Sequence, residues 1–291
     1  MELTGVHVPL ITQFDDAGEV DTHAIAEFVE IMLANGVEGI VAAGTTGEAY
    51  ALTLEERELV ISTIHKQVAG RVPVLAGVGG MSTNEALTQS KLAKRLSVDG
   101  LMVAAPAYVL PTSDELAIHI KTVIDAAGLP AVLYDYPART GVHFDEATLD
   151  ALADHKLVVG IKEASGDLDR IPMLTSRYAG RIQIVCGADV DSVTFFAAGV
   201  TCWISGMANA LPKAHAGLMN PETRDAAYAT VLPLLDHIES GRYIAKTKAL
   251  MGILGVPSKT VRGPLQAIDE SGVAVLRDLV TQAGEWAPSL V

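Results

Sequence analysis

Residues 157–162 are Leu-Val-Val-Gly-Ile-Lys, an apolar run that stops on a lysine. Apolar and polar side chains do not alternate in this run, which is typical of a parallel strand covered on both faces. Similar runs recur along the chain, and most precede a stretch of helical periodicity, the pattern of βα units. They lie at 6–11, 39–43, 73–78, 100–105, 131–135, 158–162, 182–186 and 202–205.

Eight such strands predict an α/β fold of the (β/α)8 TIM barrel type. An open doubly wound sheet usually has fewer strands at this length, and its GxGxxG fingerprint is missing. Capping-box spacings support the alternation, because Thr53 precedes Glu56 and Ser82 precedes Glu85 by three residues.

After residue 221 the pattern becomes purely helical, with segments predicted at 222–239, 242–254 and 273–285. We therefore predict two domains. The barrel at 1–221 carries the active site, and a helical C-terminal domain follows at 222–291.

The composition disfavours several classes of partner. Acidic residues number 35 against 21 basic ones, and the net charge of −14 argues against nucleic acid. No Lys or Arg precedes Arg57, and no apolar stretch is long enough to span a bilayer, so we expect a cytoplasmic protein without a membrane partner. Cys186 and Cys202 lack a metal-type spacing, and we expect free thiols.

Polar residues that follow the strands are the candidates for chemistry, because barrel active sites lie at the carboxyl ends of the strands. We expect one mouth to collect Thr45, Thr46 and Glu48, Tyr108, Tyr134, Asp135, Tyr136 and Arg139, and Lys162.

Lys162 is the central candidate, because the other nine lysines have polar or amphipathic surroundings in the sequence. Burial lowers a lysine pKa from about 10.4 toward about 7 to 8, which supplies a neutral amine that attacks a carbonyl. An ion pair with Glu163 or Glu48 is the alternative, and position alone leaves both open. Schiff-base formation also needs a proton shuttle, for which the Tyr134 hydroxyl is suited.

Other chemistries have weaker signals. The eight histidines show no HxxxH or HExxH pattern, so we expect no metal and no cofactor, and no GxSxG elbow is present. Carboxylate pairs have the positions of turn and helix-start charges: Asp15 and Asp16, Glu55 and Glu56, and Asp189 and Asp191.

Three motifs resemble the dihydrodipicolinate synthase and N-acetylneuraminate lyase family: GTTGE (44–48), YDYPARTG (134–141) and GIKEASGD (160–167). The resemblance runs the whole chain and includes WISGMANALP (203–212) and VRGPLQAIDESG (261–272). It implies a pyruvate-binding (β/α)8 lyase with a helical C-terminal domain, assembled as a homotetramer of two dimers.

The resemblance implies a catalytic role for four residues. Lys162 would form the imine, and Tyr134 would be the general acid/base. Thr45 and Tyr108 would relay its proton, and Tyr108 would reach its site across a dimer interface.

Three further residues would bind substrates by the same resemblance. Thr46 would hold the pyruvate carboxylate, the Ile204 carbonyl would face the keto acid, and Arg139 would take the carboxylate of the second substrate. The arginine and threonine of YDYPARTG resemble the synthase branch, which implies condensation of pyruvate with aspartate semialdehyde in lysine biosynthesis.

Departures from the family pattern keep other activities open. Asp135, Ala107 and the string SGMAN (205–209) differ from the usual residues, so an alternative is a 2-keto-3-deoxy sugar acid aldolase or dehydratase using the same lysine. A non-catalytic keto-acid-binding barrel is a remote alternative.

The feedback site for lysine is also poorly matched, and we predict that sub-millimolar lysine does not inhibit. The mismatched positions are Tyr50, Leu54, Arg57, Met81 and Ala107, whereas Glu85 agrees.

Overall fold

The computed structural model describes residues 1–258 and 260–291. Eight parallel strands in sequential order close into a barrel, so the predicted (β/α)8 fold is confirmed. Each observed strand end lies within two residues of its prediction. The strands are β1 (Gly5–Pro9), β2 (Gly39–Ala42), β3 (Val74–Val78), β4 (Gly100–Ala104), β5 (Ala131–Asp135), β6 (Val158–Glu163), β7 (Gln183–Cys186) and β8 (Cys202–Ile204).

Helices surround the barrel and continue beyond it. Those up to α8 connect successive strands, and the rest follow β8. They are α1 (Thr22–Ala34), α2 (Leu54–Val68), α3 (Thr83–Arg95), α4 (Ser113–Ala127), α5 (Pro137–Thr140), α6 (Glu146–Leu152), α7 (Arg170–Arg177), α8 (Ser192–Ala197), α9 (Pro212–Met219), α10 (Arg224–Glu239), α11 (Tyr243–Ile253) and α12 (Glu270–Ala283).

The two predicted capping boxes differ in the structure. At α2 the Thr53 hydroxyl accepts from the Glu56 amide, and the Glu56 carboxylate accepts from the Thr53 amide, so the box is complete. At α3 the Ser82 hydroxyl accepts from the Glu85 amide, but the Glu85 carboxylate accepts from the amide of Met81. Only half of the second box forms.

The alternation of side chains along β5 and β6 decides what faces the barrel interior. Tyr134 pairs with Lys162, and Asp135 pairs with Glu163, in one parallel register. Because successive residues of a strand point to opposite faces, Tyr134 and Lys162 share one face and the two carboxylates share the other. Tyr134 joins an inner cluster formed by Leu3, Val41, Leu75, Met102, Val132, Val185, Cys202 and Ile204.

The helices after β8 pack on one another, with contacts from α10 and α11 to α12 and from α10 to α9. Lys248 of α11 also reaches the loop after β2, where it meets Glu48. The domain boundary at residue 221 stays a prediction. Cys186 and Cys202 are free and buried, as predicted. Among the described residues, none of the helices combines the length and apolarity that a bilayer crossing requires.

Candidate active site

Lys162 and Tyr134 form the centre of the site. The Lys162 side chain is 5% exposed, and its Nζ lies 4.3 Å from the centre of the Tyr134 ring. Burial lowers the pKa of Lys162 to about 8. An amine with this pKa is partly uncharged near neutral pH, as nucleophilic attack requires.

The ion-pair alternative for Lys162 is wrong. Within the described part of the chain, no carboxylate oxygen lies within 4.0 Å of its amine. Glu163 instead accepts from Arg170 Nε at 3.1 Å, and Glu48 lies 2.5 Å from the amine of Lys248. Both carboxylates that were considered as partners of Lys162 are therefore engaged by other cations.

A cavity of about 830 Å³ opens above the barrel, and Thr45, Tyr134 and Arg139 line it. Arg139 lies on the short helix α5, with its guanidinium 5.2 Å from the Tyr136 ring. Among the residues that the structure describes, it has no carboxylate partner within salt-bridge distance. An exposed, unpaired guanidinium at a cavity wall suits an anionic substrate.

Thr46 and Ile204 lie where the loop after β2 packs against the carboxyl end of β8. Thr46 is 9% exposed, and its Oγ1 is 2.9 Å from the point that a Cβ at Gly206 would occupy. The Tyr243 hydroxyl is 2.7 Å from the same point, so only a glycine leaves room for both hydroxyls. Ile204 is fully buried at the end of β8.

Tyr108 does not line the cavity within a single chain. It is 85% exposed and has a φ of 75°, and it is followed by the exposed side chains of Val109 and Leu110. Within one chain, Thr45 and Tyr134 are therefore the two members of the predicted relay that share the cavity.

Asp135 was predicted to face the mouth, and this is wrong. Its side chain is fully buried on the outer face of the barrel wall, where Arg170 Nη2 donates to it at 3.2 Å. The same guanidinium donates to Glu163 through Nε, so Arg170 joins the carboxyl ends of β5 and β6. Asp135 thus supports the strands that carry Tyr134 and Lys162 from the opposite face of the barrel wall.

Lys248 was missed by the sequence analysis, which placed every lysine except Lys162 in polar or amphipathic surroundings. It is fully buried, and besides Glu48 its amine donates to the carbonyls of Thr12 at 2.9 Å and Thr260 at 2.7 Å. Burial lowers its pKa, and Glu48 opposes that shift. Its helix-patterned context gave no signal of burial.

Asp189 was also missed, because its spacing to Asp191 suggested a turn charge. It is 3% exposed and binds the hydroxyls of Ser205 and Tyr243. It follows β7 by three residues, and the strand-end rule that identified Lys162 would have included it. In the described ranges, no three His, Cys, Asp or Glu side chains are grouped as metal ligands.

Comparison with known proteins decides the family. The model of the dihydrodipicolinate synthetase family matches residues 2–283. The chain belongs to the dihydrodipicolinate synthetase family. The resemblance seen in the motifs is thereby confirmed, and so is the prediction of an enzyme of the lyase class.

Relatives within the dihydrodipicolinate synthetase family match over nearly their full length. The 4-hydroxy-tetrahydrodipicolinate synthase of Pelobacter propionicus is 36% identical over 280 residues, covering 94% of this chain and 96% of the relative. That of Geobacter metallireducens is 36% identical over 272 residues, covering 90% and 92%.

Solved structures of the same family superpose closely. The chloride-inhibited dihydrodipicolinate synthase of Acinetobacter baumannii, complexed with pyruvate, has a TM-score of 0.93 at 31% identity and covers 97% of this chain and 99% of its own. The 4-hydroxy-tetrahydrodipicolinate synthase of Methylacidiphilum fumariolicum SolV has a TM-score of 0.92 at 27% identity, covering 98% and 97%.

Proposed function

We propose that this chain is a 4-hydroxy-tetrahydrodipicolinate synthase that condenses pyruvate with aspartate semialdehyde. One observation carries the proposal: Lys162 is a buried amine with a pKa lowered to about 8, placed against Tyr134 and without a carboxylate partner among the described residues. The names of the relatives and the pyruvate complex of the Acinetobacter protein support it.

The first half of the reaction forms the imine. The neutral Lys162 amine attacks the pyruvate ketone, and the carbinolamine oxygen takes a proton and leaves as water. Burial raises the pKa of Tyr134, so its hydroxyl stays protonated and acts as the acid. We assign Thr45 to the relay that restores this proton, and Thr46 and the Ile204 carbonyl to holding pyruvate.

The second half forms the carbon–carbon bond. The imine acidifies the pyruvate methyl group, and the resulting enamine attacks the aldehyde carbon, while Arg139 holds the carboxylate of aspartate semialdehyde. Attack of the substrate amine on the imine carbon then releases Lys162 and closes the ring. No cofactor is needed, because the protonated imine that Lys162 forms with pyruvate is itself the electron sink.

Tyr108 is the residue that connects the proposed reaction to the assembly of subunits. We assign it to the proton relay of a neighbouring subunit, because its side chain is solvent-exposed in a single chain. This role requires a dimer, and we propose a homotetramer of two dimers in the cytoplasm.

Borohydride trapping tests the proposal directly. Pyruvate with borohydride should add one reduced adduct, mapped by peptide mass spectrometry to Lys162, and Lys162→Ala should not be labelled. Tyr134→Phe should slow trapping by about 10²- to 10⁴-fold, the usual contribution of acid–base help. Lys213→Ala, which removes a half-exposed lysine, is the matched control and should label normally. A wild-type protein that forms no adduct contradicts the proposal.

A 2-keto-3-deoxy sugar acid remains the second candidate substrate. The observation that favours it is the Tyr243 hydroxyl against Gly206, which adds a polar group near Thr46. A panel comparing kcat/KM for aspartate semialdehyde and for sugar acids decides between them. A sugar acid with the higher kcat/KM would replace the proposed second substrate and keep the imine step.

A further inference from the structure

A chain of short hydrogen bonds lies at the carboxyl ends of β7 and β8, and β7 is the strand that pairs with β6 at Lys162. The Tyr243 hydroxyl lies 2.5 Å from Asp189 Oδ2, and Ser205 Oγ lies 2.5 Å from Asp189 Oδ1. Ser205 Oγ is also 2.6 Å from His215 Nε2, and His215 Nδ1 is 2.7 Å from the carbonyl oxygen of Leu211. The chain therefore links α11, the end of β8 and α9 to the loop after β7.

Counting hydrogens shows that this network holds one proton more than its groups carry in their ordinary charge states. The Leu211 carbonyl can only accept, so Nδ1 of His215 must bear a hydrogen. Three contacts remain, and each needs one hydrogen: His215 to Ser205, Ser205 to Asp189, and Asp189 to Tyr243. If the imidazole is neutral and the carboxylate is ionised, only the hydroxyls of Ser205 and Tyr243 supply hydrogens. One of the three contacts would then bring two lone pairs together with no hydrogen between them.

The additional proton must reside on His215 or on Asp189. His215 is completely buried, and burial lowers its pKa, although Asp189 opposes this. A neutral acid and a neutral imidazole cost less desolvation than a buried ion pair. The proton therefore lies on Asp189, which donates to Ser205, while Ser205 donates to His215 and Tyr243 donates to the second carboxyl oxygen.

We infer that Ser205, His215 and Tyr243 hold Asp189 as a neutral carboxylic acid, and that Asp189 is a positioning residue which keeps Lys162 in its uncharged, reactive form. This inference rests on the proposed role of Lys162 in imine formation. An ionised Asp189 would favour the ammonium form of Lys162, and a neutral one does not.

The other titratable groups around Asp189 and Lys162 do not supply the missing hydrogen. Glu239 is the nearest carboxyl group on α10, and its Oε1 accepts from the amides of Asp189 and Val190. Burial raises the pKa of Glu239 to about 7. The remaining groups that interact with the two residues are Tyr134, Cys186 and Arg139.

Nuclear magnetic resonance tests the protonation state on the intact chain. With carboxyl-¹³C aspartate and ¹⁵N histidine, Asp189 should be protonated and His215 should be a neutral ring with its hydrogen on Nδ1 at about pH 7. Exposed His23 and partly buried Asp191 provide internal references. An ionised Asp189, or a doubly protonated His215, overturns the inference.

Variants test the consequence for Lys162. Ser205→Ala removes the acceptor of the Asp189 proton, so Asp189 should ionise. The midpoint pH at which the rate of adduct formation rises should then increase by about one unit or more. In Asp189→Asn the amide replaces the acid as donor, and the midpoint should stay at the wild-type pH. The double variant Ser205→Ala, Asp189→Asn should have the wild-type midpoint.

Ser192→Ala is the matched control, because this buried serine donates to the Asp189 backbone carbonyl and not to the network. Equal midpoints for Ser205→Ala and Ser192→Ala, or a shifted midpoint in Asp189→Asn, overturn the inference. Circular dichroism confirms that each variant is folded. If the wild type forms no adduct, the proposed function fails, whereas the resonance measurement still decides the state of Asp189.

Discussion

Of the lysines that the structure describes, Lys162 and Lys248 are the buried ones, and their surroundings give them opposite roles. Lys248 has a carboxylate at 2.5 Å and two carbonyl acceptors, which stabilise its charge. Lys162 has an aromatic ring and no such carboxylate, so burial acts on its amine largely uncompensated. The same side chain is therefore a structural cation in one place and a nucleophile in the other.

The pKa of Lys162 predicts how imine formation depends on pH. Because burial lowers this pKa to about 8, the uncharged fraction should grow about tenfold per pH unit below that value and level off above it. The measurement is the rate of pyruvate adduct trapping across pH at saturating borohydride. A rate that still rises steeply toward about pH 10, the ordinary range of a lysine, would contradict the assignment.

Among the elements, β5 and β6 are joined at their carboxyl ends by Arg170 of α7. Its guanidinium binds Asp135 and Glu163, both buried, and also donates to the Phe144 carbonyl at 2.9 Å. The inner neighbours of these carboxylates are Tyr134 and Lys162. The ion cluster therefore fixes the separation of the two strands at the place where the chemistry occurs.

Removal of Arg170 should be costly, because the buried Glu163 loses its cationic partner and the buried Asp135 is left with the His143 ring and the Phe144 amide. Arg170→Met is expected to lower the free energy of unfolding by about 3–5 kcal/mol. Urea denaturation measures the change. Arg177→Met, on the same helix, removes exposed pairs with Glu146 and Asp150 and should cost about 1 kcal/mol or less. Equal losses in the two variants would contradict the role of the cluster.

The loop of GTTGE is held from the far end of the chain. Glu48 has a φ of 55°, and its carboxylate binds the Lys248 amine and accepts from the backbone amide of Arg262 at 2.8 Å. This anchor lies two residues after Thr46. The C-terminal segment thus positions the loop that carries the proposed pyruvate-binding hydroxyls.

Loss of the Lys248 amine should affect both stability and pyruvate binding. Lys248→Met is expected to cost about 3–5 kcal/mol, because the buried Glu48 carboxylate loses its cationic partner, and to raise KM for pyruvate. Adding Glu48→Gln should recover part of the stability. The control is Lys246→Met on the same helix, whose amine donates to the His237 carbonyl. An unchanged KM in a folded Lys248→Met variant would argue against the anchor.

At the scale of the molecule, the proposed relay joins residues of two chains. Tyr108→Phe and Lys162→Ala are each expected to have little activity. When they are mixed and reassembled, a hybrid dimer contains one site with Lys162 and Tyr108 both intact, and activity should return. Tyr134→Phe mixed with Lys162→Ala should not recover, because both residues belong to one chain's site. Lack of recovery in the first mixture would refute a shared site.

The fold was predictable because it follows from repeated local signals. Unalternated runs such as 131–135 and 158–162 coincide with the strands to within one residue, since burial on both faces dictates their composition. Lys162 could be found for the same reason, as a charge at the end of such a run. Arg139 and the two threonines were candidates by the same strand-end rule, but their roles required the motif resemblance.

What could not be predicted depends on partners distant in sequence. Lys248 meets Glu48 across 200 positions, and Tyr243 meets Asp189 across 54. No local pattern distinguishes these side chains from solvated ones, because their burial is created by packing of helices that follow the barrel. Asp135 was misplaced because the strand-end rule ignores side-chain alternation. Tyr134 faces the barrel interior, so the next residue, Asp135, faces outward.

The closure of β1 against β8 has a consequence for the order of events at the ribosome. A nascent chain that has exposed β1 must wait for almost 200 further residues before that edge is paired, and later still for Lys248 and Arg262 to neutralise Glu48 and Glu56. During synthesis the barrel therefore carries an open strand edge and uncompensated carboxylates. The emerging polypeptide acquires a complete reaction centre only after Arg262 has been translated.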